Sequence, residues 1–294
     1  SYYIGTNSSM DWKQHCKNSK QKIKIRGEIR MKKKIISILT LAIITVGLLG
    51  GCAKESKVLK VSSTSAPHAK MLEYIQGDLE KQGITLELKV VDDYNIHNRA
   101  LHEKEVDANF FQHIPFLESQ VAEFKYDIET FAKVHIEPMG VYSEKITSLD
   151  ELKEGSIIAL PNDSSNESRA LALLHRNGII ELNDVNNQAA TILDIKSNPK
   201  GIVFQEMEAA VLPMILQDVD AAVINTNFAL QKGLSPTEDA IAIEDANSPY
   251  VNILAIRKGE EDREDLKALA EVLTSDKMKE FIEENYEGEI VPAF

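Results

Sequence analysis

Asn166 and Arg169 lie three residues apart in the run Leu160-Pro161-Asn162-Asp163-Ser164-Ser165-Asn166-Glu167-Ser168-Arg169, a spacing that puts both on one face of a helix. Arginine offers a planar fork that grips a carboxylate through two parallel hydrogen bonds. The turn over 161–165 is dense in capping residues, and the unpaired N–H groups of a helix start favour an anion. Two further runs end in polar or aromatic groups. Asp107-Ala108-Asn109-Phe110-Phe111-Gln112-His113 delivers Phe111 and His113, and Val223-Ile224-Asn225-Thr226-Asn227 delivers two amides. Asn252 interrupts the apolar run 250–256; a buried amide inside a strand either ties elements together or bonds a ligand.

Catalysis has no comparable signature. Gly-x-Ser-x-Gly, Walker and Gly-x-Gly-x-x-Gly loops are missing, as are zinc-type spacings. The histidines are scattered, none set against Asp or Glu at a metal-binding spacing, and the adjacent acids Asp92-Asp93 read as solvated. The sequence therefore predicts no catalytic residue, no metal and no cofactor.

The elements that must position these groups alternate between strand and helix patterns. Residues 58–61 read as a strand. Pro67-His68 opens a helix with Met71, Leu72, Ile75 and Leu79 on one face, and Gly83 ends it. Ile84, Leu86, Leu88 and Val90 alternate with polar residues as in a half-buried strand. A polar helix over 98–103, a short apolar run over 108–111, a helix over 115–124 and strand-like 131–142 follow. Then come a strand over 156–160, a helix over 166–176, a helical stretch over 206–216 disturbed at Pro213, a strand over 221–224 and a short helix over 226–232. Strand-like 251–256 and two amphipathic helices close the chain. Such alternation implies parallel sheets flanked by helices, with ligands at the carboxyl ends of strands.

Charge and the N-terminal region narrow the setting. Lys and Arg number 33 against 46 Asp and Glu, a net −13, and the first 51 residues hold ten of the basic groups and two of the acidic ones. A surface this acidic argues against nucleic acid as a partner. Met31-Lys32-Lys33-Lys34, a largely apolar run over 35–49 and Leu49-Gly50-Gly51-Cys52 read as a secretory signal too short to span a bilayer. The last four residues resemble a bacterial lipobox, which implies cleavage before Cys52 and a lipid on its sulfur. With Cys16 the only other cysteine, no disulfide is expected in the exported part. Gly27-Glu28 stands where a ribosome-binding sequence precedes a start codon, so residues 1–30 are expected to be translated upstream DNA.

Thr64-Ser65-Ala66-Pro67-His68-Ala69, 107–113, His135-Ile136-Glu137-Pro138-Met139-Gly140, 160–169, 218–227, Ser248-Pro249-Tyr250-Val251-Asn252 and the ending Ile290-Val291-Pro292-Ala293-Phe294 together resemble the methionine-binding lipoprotein family (NlpA/MetQ type). The resemblance covers about 58–294, block by block in order. It implies an α/β, two-lobed type II periplasmic-binding-protein fold with the ligand in the interlobe cleft: signal peptide 31–51, lipidated Cys52 and a tether to 57, one lobe over 57–146 plus 248–294, the other over 147–247. It implies a side-chain pocket of Tyr94, Phe111 and His113, a carboxylate clamp of Asn166 and Arg169, and further contacts from Asn225 or Asn227 and from Asn252. The expected ligand is L-methionine, with D-methionine or a methionine-containing dipeptide as alternatives; the expected partners are an ABC permease and its ATPase, and the expected state a lipid-anchored monomer on the extracytoplasmic face. A lipoprotein enzyme acting in the cleft is the reading of a different class. Arg169→Ala is expected to cut affinity more than tenfold without unfolding the lobe, by removing a charge-assisted pair worth about 1.5–3 kcal/mol.

Overall fold

A computed structural model describes residues 56–245 and 248–294; the expectations for 1–30, the signal and Cys52 fall outside the described residues. Strands β1 (Lys57–Ser63), β2 (Ile84–Val90), β3 (Ala108–His113), β4 (Ile128–Ile136), β12 (Val251–Arg257) and β13 (Val291–Pro292) form a six-stranded sheet in the order β13-β4-β12-β3-β1-β2. A five-stranded sheet, ordered β11-β5-β10-β6-β9, holds β5 (Gly140–Tyr142), β6 (Ile157–Pro161), β9 (Val203–Met207), β10 (Ala221–Ile224) and β11 (Ala242–Ile243), while β7 (Glu181–Leu182) and β8 (Ile195–Ser197) pair apart. Each large sheet carries its own helices and core, which gives two α/β lobes.

In the first lobe α1 (Lys70–Lys81) packs Met71, Leu72, Ile75 and Leu79 on Leu59 and Val61 of β1, beside Leu266, Leu269 and Leu273 of α6 (Glu264–Leu273). Gly77 within α1 costs about 1 kcal/mol of helix propensity relative to alanine. Four buried side chains at roughly 1.5–3 kcal/mol each outweigh it, so tertiary packing holds this helix. In the second lobe α4 (Ser164–Arg176) packs Ala170, Leu171 and Leu174 on Ile158, Leu160 and Val223. The remaining helices are α2 (Tyr94–His102), α3 (Ile114–Phe124), α5 (Thr226–Lys232) and α7 (Asp276–Tyr286).

The chain passes between the sheets twice: through Glu137-Pro138-Met139, from β4 to β5, and back between β11 and β12. β5 pairs antiparallel with β10, Ile224 opposite Gly140, so the first crossing lies at 137–139, ahead of the expected boundary at 146. A Cβ on Gly140 would stand 2.8 Å from the ring of Tyr142, whose side chain is fully buried; only glycine fits there.

Two other expectations differ from the structure. Residues 206–216 are not helical: Glu206 and Met207 finish β9, which pairs in parallel with β6, and only Leu212–Met214 makes a helical turn. The polar helix begins at Tyr94, four residues early, because Asp93 accepts the Asn95 N–H at 2.9 Å as its N-cap. Asp92 likewise is engaged, taking Ser65 N–H at 2.9 Å and Gln231 Nε2 of α5 at 3.0 Å.

Candidate functional site

Strand ends and helix starts from both lobes converge on one cavity. Tyr94, Phe111, His113, Asn166, Arg169, Asn225, Asn227 and Asn252, singled out from the sequence, all line it, joined by Gln112, Phe116, Glu137 and Thr226. Sheet register explains part of this convergence. Asn252 of β12 stands opposite His113 of β3 on one side and His135 of β4 on the other, which aligns three polar side chains at the end of an otherwise apolar sheet.

One wall is aromatic. Tyr94 lies 5.7 Å from Phe111, 5.6 Å from Phe116 and 5.1 Å from Phe228, centroid to centroid. Its hydroxyl donates to Asn227 Oδ1 at 2.6 Å, a bond from α2 of the first lobe to α5 of the second. Burial pushes the Tyr94 phenol well above its ordinary pKa, so it stays a donor.

The opposite wall is an amide relay. His113 Nδ1 accepts the Phe116 N–H at 3.1 Å as the N-cap of α3. Its proton therefore sits on Nε2, which donates to Asn166 Oδ1 at 3.0 Å across the lobes. Asn225 Nδ2 donates to the same oxygen at 2.9 Å, and Asn166 Nδ2 reaches the Asp163 carboxylate at 2.9 Å. Asn225 occupies the N-cap position of α5 without capping it, since its side chain turns to Asn166. Two buried atoms in this lining have no protein partner: Asn225 Oδ1, an acceptor, and Asn227 Nδ2, a donor. Buried polar groups are nearly always satisfied, so the pair marks where a ligand is wanted.

Arg169 is engaged more deeply than the sequence suggested. Nε and Nη2 bond the Glu244 carboxylate at 3.0 and 2.6 Å, Nη2 also takes the Glu137 carbonyl at 2.7 Å, and the guanidinium lies 4.2 Å over the Tyr250 ring. Burial works against the charge, but the Glu244 carboxylate holds the guanidinium protonated, above its ordinary pKa. Glu137 belongs to the outgoing crossing and Glu244 precedes the returning one, so Arg169 braces both. Arg169 is at the same time one of the residues that line the cavity.

Sequence reasoning missed Glu137, Glu244 and the grouping of His68, His135 and Glu137, whose ligating atoms lie within 4.8 Å of one another. His135 and Glu137 are two apart at a strand end, a same-face spacing that could have been noticed. His68 arrives from the turn Ser65–Ala69, and no spacing announces it.

Four buried histidines stay neutral. Burial pushes His68 and His97 down to about 4 and His113 and His135 down to about 3. The unfolded chain takes up those protons near pH 6.5, so stability falls as pH drops from there towards 4. Burial raises Glu137, Asp163 and Glu167, the last to about 7, and these carboxyls work against the trend without matching the four histidines in number. Urea midpoints at about pH 6.5, 5.5 and 4.5 should fall in that order; a rising midpoint contradicts the neutral histidines.

With that geometry in view, comparisons with known proteins point one way. The profile of the NlpA lipoprotein family matches residues 59–294. A Bacillus subtilis relative, methionine-binding lipoprotein MetQ, is 41% identical over 89% of this chain and 99% of its own length. D-methionine-binding lipoprotein MetQ of Escherichia coli K12 is 37% identical over 82% of this chain and 91% of its own. A nutrient-binding protein from Burkholderia cenocepacia, solved bound to methionine, superposes with a TM-score of 0.78 at 42% identity, covering 80% of this chain and 100% of that one.

Proposed function

The chain belongs to the NlpA lipoprotein family, and from that premise we propose that it captures L-methionine in the cavity between its lobes and delivers it to a methionine ABC importer. One observation carries the reading: a single cavity combines an aromatic wall, the Arg169 guanidinium, an orphaned donor and an orphaned acceptor. A free amino acid presents the complement of each. The Arg169 guanidinium and Asn227 Nδ2 receive the carboxylate, Asn225 Oδ1 accepts from the ammonium, and Tyr94, Phe111 and Phe116 enclose the thioether, where sulfur–aromatic contact contributes about 0.3–1.5 kcal/mol. Asn166 and His113 act by holding Asn225 in place.

The bonds Tyr94–Asn227, His113–Asn166 and Gln231–Asp92 join the two lobes around the cavity. Closure of this kind desolvates the ligand and creates the surface that the permease and its ATPase read. Lipid on Cys52, at about 0.8 kcal/mol per buried CH₂, keeps the receptor, a monomer, at the extracytoplasmic face of the membrane. Isothermal calorimetry of the purified protein against L-methionine, D-methionine, glycyl-methionine and leucine tests the assignment. L-methionine should bind tightest. A preference for the D-isomer or the dipeptide reassigns the ligand, and binding of none overturns the transport reading.

A further inference from the structure

Glu137 is the one cavity-lining carboxylate without a full cationic partner. Its Oε1 sits between two imidazoles, 2.7 Å from His135 Nε2 and 3.3 Å from His68 Nε2. His68 Nδ1 is bonded to Thr64 Oγ1 at 2.7 Å and His68 Nε2 also lies 3.1 Å from Asn252 Oδ1. All three titratable groups are buried: His68 and His135 are fully enclosed and Glu137 is 5% exposed, its side chain reaching the cavity. The groups that face Glu137 from the packed elements are few. They are His68 from the Ser65–Ala69 turn, His135 from β4, the Tyr94 hydroxyl from α2, the Tyr286 hydroxyl from α7 and Arg169 from α4. Both phenols are neutral, burial keeps both imidazoles neutral, and Arg169 is already paired with Glu244. A carboxylate in that setting has the Asn227 N–H and the His135 hydrogen bond but no cation of its own, and burial raises it.

A metal ion does not resolve the problem. Zinc at about 2.0–2.2 Å from each ligand sets donor atoms roughly 3.3 Å or more apart, whereas His135 Nε2 and Glu137 Oε1 are at hydrogen-bond separation, 2.7 Å. A ligating imidazole also donates its second N–H to a partner, and His135 Nδ1 has none. A proton suits the geometry, and so does a small ammonium entering from the cavity.

We propose that Glu137 is the determinant that selects ligands bearing a charged primary amine, and that His68 and His135 are positioning residues that let it ionise when that amine arrives. The inference rests on the amino-acid reading above and deepens it. In the empty site the carboxyl holds its proton. When the ligand ammonium docks against it, the O–H bond breaks, the proton leaves to solvent, and a carboxylate–ammonium pair remains. A 2-hydroxy or N-acetyl analogue keeps the carboxylate and the thioether but brings no cation, so Glu137 stays neutral and contributes little. Affinity for the amine-bearing ligand therefore rises with pH through the ionisation of the empty site, whereas affinity for the hydroxy analogue does not.

Calorimetry of the full protein in two buffers of different ionisation enthalpy measures the coupling directly. L-methionine should release a fraction of a proton, up to one, and 2-hydroxy-4-(methylthio)butanoate none. Glu137→Gln should lower methionine affinity at least tenfold while changing affinity for the hydroxy analogue less than threefold, which also reports that the variant is folded. His135→Leu, which removes one hydrogen bond to the carboxylate beside the Phe110 ring, should move the midpoint of the methionine affinity profile to higher pH. Methionine binding with the same heat in both buffers overturns the proposal, as does equal loss of both ligands in Glu137→Gln. Absence of methionine binding to the unaltered protein overturns the amino-acid reading itself, a distinguishable failure.

Discussion

Arg169→Ala should destabilise the protein by about 3–5 kcal/mol and reduce methionine affinity more than tenfold. The sequence alone led to the second effect and to a lobe that stays folded, with nothing to indicate the first. The difference comes from Glu244, 3% exposed at its side chain and bonded to Arg169 at 2.6 Å. Among the described residues, alanine leaves that buried carboxylate only the Met139 N–H at 3.1 Å, and an uncompensated buried charge is among the costliest single-site losses. The Glu137 carbonyl also loses its donor, so both crossings between the lobes loosen. Stability and recognition separate in the double variant Arg169→Ala/Glu244→Gln. Removing both charges restores most of the urea midpoint, because a neutral amide can still accept from Met139, but it cannot restore the guanidinium to the ligand. Recovery of affinity along with stability would show that Arg169 acts only as a brace. Loss of affinity with stability regained assigns the Arg169 guanidinium to the ligand carboxylate.

The contrast between Arg169 and its partners marks what the sequence could express. Asn166 and Arg169 were visible because helix periodicity is local, and Phe111, Asn225 and Asn252 because an apolar run that ends in or encloses a polar residue can be read within a few positions. The face of α1 and its stop at Gly83, with φ of 79°, follow from the same local rules. Glu137 and Glu244 meet Arg169 from 32 and 75 residues away, and only the two crossings bring them there. The same reason explains the misread stretch 206–216. Its apolar spacing suits a helix, but Val203–Met207 pairs with β6 over its full length, and long-range strand pairing overrides local pattern. The family resemblance supplied the ligand; the residues alone indicated a carboxylate-gripping cleft.

Asn166→Leu is expected to weaken methionine binding more than tenfold, although Asn166 offers the ligand little of its own. Its oxygen takes His113 Nε2 at 3.0 Å and Asn225 Nδ2 at 2.9 Å, and its nitrogen satisfies Asp163. Leucine fills a similar volume and removes all three bonds. His113 and Asn225 are then buried with unmet donors at about 1–3 kcal/mol each, so the variant should lose at least ~2 kcal/mol of stability. Affinity falls for a geometric reason: Asn225 Oδ1 is aimed by the bond its own nitrogen makes, and the His113 bond is one of those that hold the lobes together. A double-mutant cycle with Asn225→Leu tests that dependence by calorimetry. If Asn166 works through Asn225, the second substitution adds little to the first, and the coupling approaches the size of the Asn225→Leu effect itself. Fully additive losses would mean that the two amides serve the ligand independently and that the relay from His113 through Asn166 to Asn225 does not set the ammonium acceptor.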